Sequence, residues 1–217
     1  FSNVITFNLD EYYSIIPCHP ESYSHFMHEQ LFDHLDIPDT NIHIPDGSVE
    51  RSDAFAFCQT YEDKIVSAGG LDIQILGIGR TGHVGFNEPG SSLDSRTRLV
   101  HLDRLTRKDA ARDFLGEENV PRYALTMGVG TIFDASRIFL LAWGQAKADI
   151  LARAIEGEPT DSLPASLLQG HPKLEIFADK AAASELTRRK RPWLVQQVTW
   201  EPALIRAAVS WLSAKAG

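Results

Sequence analysis
No apolar run in this chain approaches the ~20 residues that a membrane-spanning helix needs, so no membrane segment is expected. Cysteine is scarce. Cys18 and Cys58 alone build no disulfide framework and share no metal-ligand spacing, so a reducing, cytoplasmic setting and no bound metal are expected. Basic charge is in deficit, with 21 Lys and Arg against 29 Asp and Glu and a net charge of −8, which argues against a nucleic-acid partner. The single basic cluster, Arg188 to Arg191, reads as the solvated end of a helix before Pro192. A G-x-S-x-G elbow is missing, which counts against a serine hydrolase. Internal repeats and low-complexity linkers are missing too, so 217 residues point to one sizeable core. The opening FSNVITFNLDEY has no initiator methionine and no signal-peptide pattern, and it starts inside a strand-like segment. A chain cut from something longer is the expectation there.

What is present alternates. Strands are expected at Val4–Asn8, Asn41–Ile44, Ile73–Leu76, Ile138–Trp143 and Leu174–Ala178. Helices are expected at Ser22–Leu35, at Asp53–Ala68 behind an Asp cap, at Lys147–Ile155 and at Ala181–Arg189. After Pro192 the character changes, and an amphipathic helix is expected from about Glu201. Short apolar strands between helices predict an α/β fold with a parallel sheet covered on both faces. Ligands in such folds bind at the C-terminal ends of the strands, where Asn8–Glu11, Gly77–Glu88 and Gly144–Lys147 fall.

The densest of these clusters is LDIQILGIGRTGHVGFNEPGSS, residues 71–92. Gly77, Gly79 and Gly82 formally satisfy G-x-G-x-x-G after a strand. A dinucleotide fingerprint also needs a helix at the third glycine, and Gly85, Pro89 and Gly90 forbid a long one. The glycines are instead expected to let backbone amides approach a small polar ligand. His83, Asn87 and Glu88 share the loop. Local hydrogen bonding alone would explain them, but a histidine and a carboxylate beside a strand end make an acid–base pair, with the carboxylate fixing the imidazole tautomer. Asp10 reads equally well as a turn cap and as a partly desolvated base at the sheet's ligand edge. Ser91, Ser92, Arg96, Arg98, Arg112 and Lys147 form a scattered anion-binding set. Lys147 stands out, because it opens a helix directly after a strand.

FNLDEY, LGIGRTGHVGFNEPGSSLDSRTR, VPRYALTMGVGTI and WGQAKA stand in the order and spacing of glucosamine-6-phosphate deaminases, which the chain resembles over roughly residues 1–191. The GHVGFNEPG segment separates that family from the related 6-phosphogluconolactonases. The resemblance implies a three-layer α/β/α, Rossmann-like domain over residues 1–195 with a mainly parallel sheet, lacking the family's first β-α segment and its phosphate loop. Residues 196–217 would be a C-terminal extension. It further implies conversion of glucosamine 6-phosphate and water to fructose 6-phosphate and ammonia, with no cofactor and an amino-sugar phosphate as the small-molecule partner. Asp10 matches the enolisation base, His83 the ring-opening residue, and Glu88 its carboxylate partner. Arg112 and Lys147 match phosphate-holding residues, with Gly77 and Gly79 beside the substrate. Ser91 and Arg98 match part of an allosteric site for N-acetylglucosamine 6-phosphate found in some members. Where the family usually has an acid before Gly-His, this chain has Thr81, so His83 is expected to depend on Glu88 alone. Val100 replaces a basic residue of the allosteric site, so activation is expected to be weak or absent. The tail resembles that of longer proteins in which a second, deacetylase-like hydrolase domain follows. Family members range from monomers to hexamers, which leaves a homo-oligomer open. Two other readings stay open beside deamination: a sugar-phosphate sensor without turnover, and lactone hydrolysis on the same fold.

Overall fold
The computed structural model describes residues 1–216. In chain order the strands are β1 (Thr6–Phe7), β2 (Asp10–Tyr12), β3 (Ile42–His43), β4 (Gln74–Gly77), β5 (Arg98–His101), β6 (Tyr123–Thr126), β7 (Ile138–Ala142) and β8 (Leu174–Ala178). The helices are α1 (Tyr23–Gln30), α2 (Ala54–Ser67), α3 (Arg104–Ala110), α4 (Val129–Phe133), α5 (Ala148–Glu156), α6 (Pro164–Leu167), α7 (Thr187–Lys190) and α8 (Pro202–Ala216). Gly217, the end of the expected extension, lies outside the described residues.

The fold is mixed α/β with mainly parallel sheets. β1 pairs parallel with β3, and β4, β7 and β8 form a parallel three-stranded sheet in that order. The third sheet, β2–β6–β5, is antiparallel and departs from the sequence expectation. Its strands (DEY, YALT, RLVH) are short and mixed in polarity, so no apolar run announces them. Antiparallel neighbours of this kind hold by cross-strand pairing rather than by two-sided burial.

The main core lies against one face of β4–β7–β8. Leu76, Ile138 and Leu140 cluster with Tyr61 and Ile65 of α2 and with Ile150, Leu151 and Ala154 of α5. Leu140 and Leu151 are fully buried, and truncating such a leucine to alanine costs about 2–5 kcal/mol. The other face of the sheet is the more exposed one. α2 and α5 share one cluster, and alternate residues point the other way: Ile75 is 59% and Phe177 45% exposed.

Several element boundaries also differ from the sequence expectation. α1 stops at Gln30, where the His34 ring bonds the Glu29 carbonyl and Leu31 leaves helical geometry. Asp53 makes no side-chain cap for α2; it is already helical in conformation and its amide bonds Glu50. The expected helix at 181–189 is a run of turns built on Asp179, which accepts the Ala182 amide, followed by the single turn α7. α8 forms as expected, but its apolar stripe of Ile205, Val209 and Leu212 is exposed.

Candidate active site
Asp10 opens β2, opposite Thr126 of β6, with its side chain half-buried. Gly85 comes directly against it. A Cβ at that position would lie 3.1 Å from Asp10 Oδ2 and 3.0 Å from Thr126 Oγ1, and the backbone φ of +57° is one that side chains disfavour. Burial, and then the charge of neighbouring Glu11, push the Asp10 carboxyl up to about 7. A carboxylate at that value can take and return a proton near neutrality.

Glu11 points away from Asp10 along the pleat and is 1% exposed. Hydrogen bonds offset its burial: its carboxylate accepts from the amides of Tyr12, Tyr23 and Ser24 and from the Ser22 hydroxyl, at 2.7–3.0 Å. Those contacts hold the entry of α1 on β2, beside Asp10.

The loop after β4 carries the second group. His83 and Glu88 are mostly buried, with His83 Nδ1 3.3 Å from Glu88 Oε2. The Thr81 hydroxyl stands between them, 2.9 Å from Nδ1 and donating to Oε2 at 3.4 Å. The other Glu88 oxygen accepts from the Thr106 hydroxyl and the Asp103 amide, which fastens the start of α3 to the loop. Burial would raise the Glu88 carboxyl, but the bonds from His83, Thr106 and Asp103 outweigh it and hold it below the usual range. The His83 ring lies flat on Gly79, where a Cβ would come within 1.9 Å of Nε2. Gly79 thus makes room for an imidazole, in place of the expected close approach of a ligand to the backbone.

Lys147 follows β7 in a tight turn before α5, and its ammonium donates to the Ile78 carbonyl at 2.7 Å. That contact brings it to the same glycine loop, where burial lowers its pKa. Arg80, on the loop, pairs with Asp109 of α3 at 2.7 Å. Arg112 is exposed just beyond α3, and no ion pair ties it to this group. Gly77 ends β4 with open space where a Cβ would be. Asn87 proves to be a buried tie: its amide bonds the Val84 and Met127 carbonyls and its oxygen accepts from Arg98. Arg98 also donates to Ser91 at 3.0 Å, and both line a cavity of about 310 Å³ with Glu88, Ser95, Val100 and His101. Arg96 is spent on a surface pair with Asp134. Asp10, His83, Glu88, Gly79 and Lys147 therefore converge around one loop, and Ser91 and Arg98 sit behind it. Thr106 and the Asp103 amide carry no signal of their own in the sequence. Asp103, one residue before a helical segment, is nonetheless a recognisable cap, and its side chain does bond the Leu105 amide.

Residues 1–176 match the model of the family described as glucosamine-6-phosphate isomerases/6-phosphogluconolactonase. The chain belongs to that family. Among members of it, a glucosamine-6-phosphate deaminase of Hahella chejuensis is 53% identical over 86% of this chain and 70% of its own length. A deaminase-like protein of Bacteroides thetaiotaomicron is 45% identical over 98% of this chain, which spans only 32% of that longer relative. The solved structure of a monomeric glucosamine-6-phosphate deaminase superposes with a TM-score of 0.82 at 43% identity, covering 85% of this chain and 76% of that one.

Proposed function
We propose that this protein converts glucosamine 6-phosphate and water to fructose 6-phosphate and ammonia. The observation that carries the reading is Asp10: a half-buried carboxyl at about 7, against the same loop that holds His83. The chemistry needs two proton handlers. His83, partnered by Glu88, would move the proton that opens the pyranose ring. Asp10 would then take the proton from C2 of the open-chain sugar and return it to C1, which leaves an imine at C2. Water adds to that imine and ammonia departs, so atoms balance without a cofactor. Lys147 and Arg112 would hold the phosphate, and remote binding energy of that kind orients the reacting carbons. Gly77 would let the sugar lie close to the end of β4, beside the His83 ring that Gly79 admits. Ser91 and Arg98 would bind a second sugar phosphate in the adjoining cavity, with Val100 depriving it of one cation.

The test is to incubate the full chain with glucosamine 6-phosphate and follow ammonia and fructose 6-phosphate together. Stoichiometric release of both is expected. Folded protein that binds the sugar phosphate without yielding either product would overturn the reading in favour of a sensor. Asp10→Asn should lower kcat by roughly 10³-fold with substrate binding retained, because only proton transfer is lost. Equal loss of binding would make Asp10 a structural residue.

A further inference from the structure
We propose that Thr81 is a positioning residue for His83: its hydroxyl bridges the imidazole and Glu88 and holds the ring as the Nδ1–H tautomer, leaving Nε2 as the proton acceptor over Gly79. The inference deepens the deaminase reading and rests on it for the role of His83.

The distances decide which neighbour holds the ring. A charge-assisted N–H to carboxylate bond is normally about 2.7–2.9 Å long. Glu88 Oε2 stands 3.3 Å from Nδ1, too far to hold the ring well alone. Thr81 Oγ1, at 2.9 Å, is the nearer partner. A hydroxyl has one proton to give and lone pairs to accept with. Glu88 is acceptor-only when ionised, and two other donors on its second oxygen favour that form. The Thr81 proton therefore points to Glu88 Oε2, a long and weak contact of 3.4 Å, and its lone pair takes the Nδ1 proton in the short one of 2.9 Å. The reverse arrangement would spend the Thr81 proton on Nδ1 and leave Glu88 Oε2, 3.3 Å from Nδ1, facing lone pairs with no donor from either partner, and that repulsion disfavours it. The expectation that His83 depends on Glu88 alone is thus revised: the threonine supplies the short contact, and Glu88 supplies the charge behind it.

The experiment compares Thr81→Ser and Thr81→Val by steady-state kinetics and by ¹⁵N detection of the His83 tautomer, with the His83→Asn variant identifying the signal. Thr81→Ser keeps the hydroxyl and should stay within about 3-fold of the parent kcat. Thr81→Val, of matching shape, should lose about 10–100-fold in kcat with KM changed by less than about 3-fold, and its His83 should exchange between tautomers. Parent-like kcat and an unchanged tautomer in Thr81→Val would overturn the proposal. So would a parent protein whose His83 carries its proton on Nε2, a measurement that needs no variant to fold. A parent that releases no ammonia overturns the deaminase reading instead, while the tautomer comparison still judges Thr81.

Discussion

Contact between Gly79 and the His83 ring gives the residue scale its sharpest test. Alanine at 79 would put a methyl group where Nε2 now lies, 1.9 Å from it, so the imidazole must swing away from Thr81 and Glu88. A misplacement on the order of 1 Å at a reacting group costs about 10²-fold. Gly79→Ala should therefore lower kcat by about that factor while thermal unfolding moves by only a few degrees. A kcat within twofold of the parent would show that the ring tolerates displacement. Much of this site is legible in the sequence, because His83 and Glu88 lie five residues apart on one glycine-punctuated loop. The contacts that give them their properties join distant segments: Gly85 against Asp10, Thr106 and Asp103 on Glu88, Lys147 on Ile78. No local spacing encodes such pairs. Thr81 is visible as a departure from pattern, but a hydroxyl's role depends on where its single proton points, and only geometry decides that.

At the scale of elements, β2 and α1 act as a unit through Glu11. The strand escapes sequence patterning because DEY is three residues without apolar periodicity. α1 reads too long in sequence because Leu31 and Leu35 continue its pattern past the point where the chain turns. Glu11 joins the two with four accepted hydrogen bonds, including two from the amides that begin α1. Glu11→Gln offers one oxygen in place of two and directs an NH₂ group at donors. With hydrogen bonds to a charged group worth about 1.5–3 kcal/mol each in the net, and some rearrangement allowed, a loss of about 2–3 kcal/mol is expected in urea unfolding. The same change removes the charge that helps raise the Asp10 carboxyl. The acidic limb of the kcat profile should then move to lower pH. A profile that stays in place, with stability lost, would separate the docking role of Glu11 from its influence on the base.

For the whole molecule, that raised carboxyl makes the folded state depend on pH in a direction opposite to the usual carboxylate. The Asp10 carboxyl stands at about 7 in the fold against 3.8 for the free side chain. The folded chain therefore binds this proton more tightly than the unfolded chain does. Its favourable contribution is complete below about pH 4, falls as pH rises toward 7, and is gone above that. At ~1.4 kcal/mol for each tenfold difference in affinity the ceiling is about 4 kcal/mol, and the water that reaches a half-buried carboxyl reduces it to roughly 2. Asp10→Asn carries no charge to bury. It should match the parent in stability near pH 4 and exceed it by roughly 2 kcal/mol at pH 8, a gap readable from denaturant midpoints at the two pH values. This pairing of lost turnover with gained stability is what a base in a partly desolvated site demands, because the ionised form is costly to bury and is also the form that removes the proton. If Asp10→Asn is no more stable than the parent at pH 8, the carboxylate is well solvated, and the site lacks the partial desolvation that would raise its basicity.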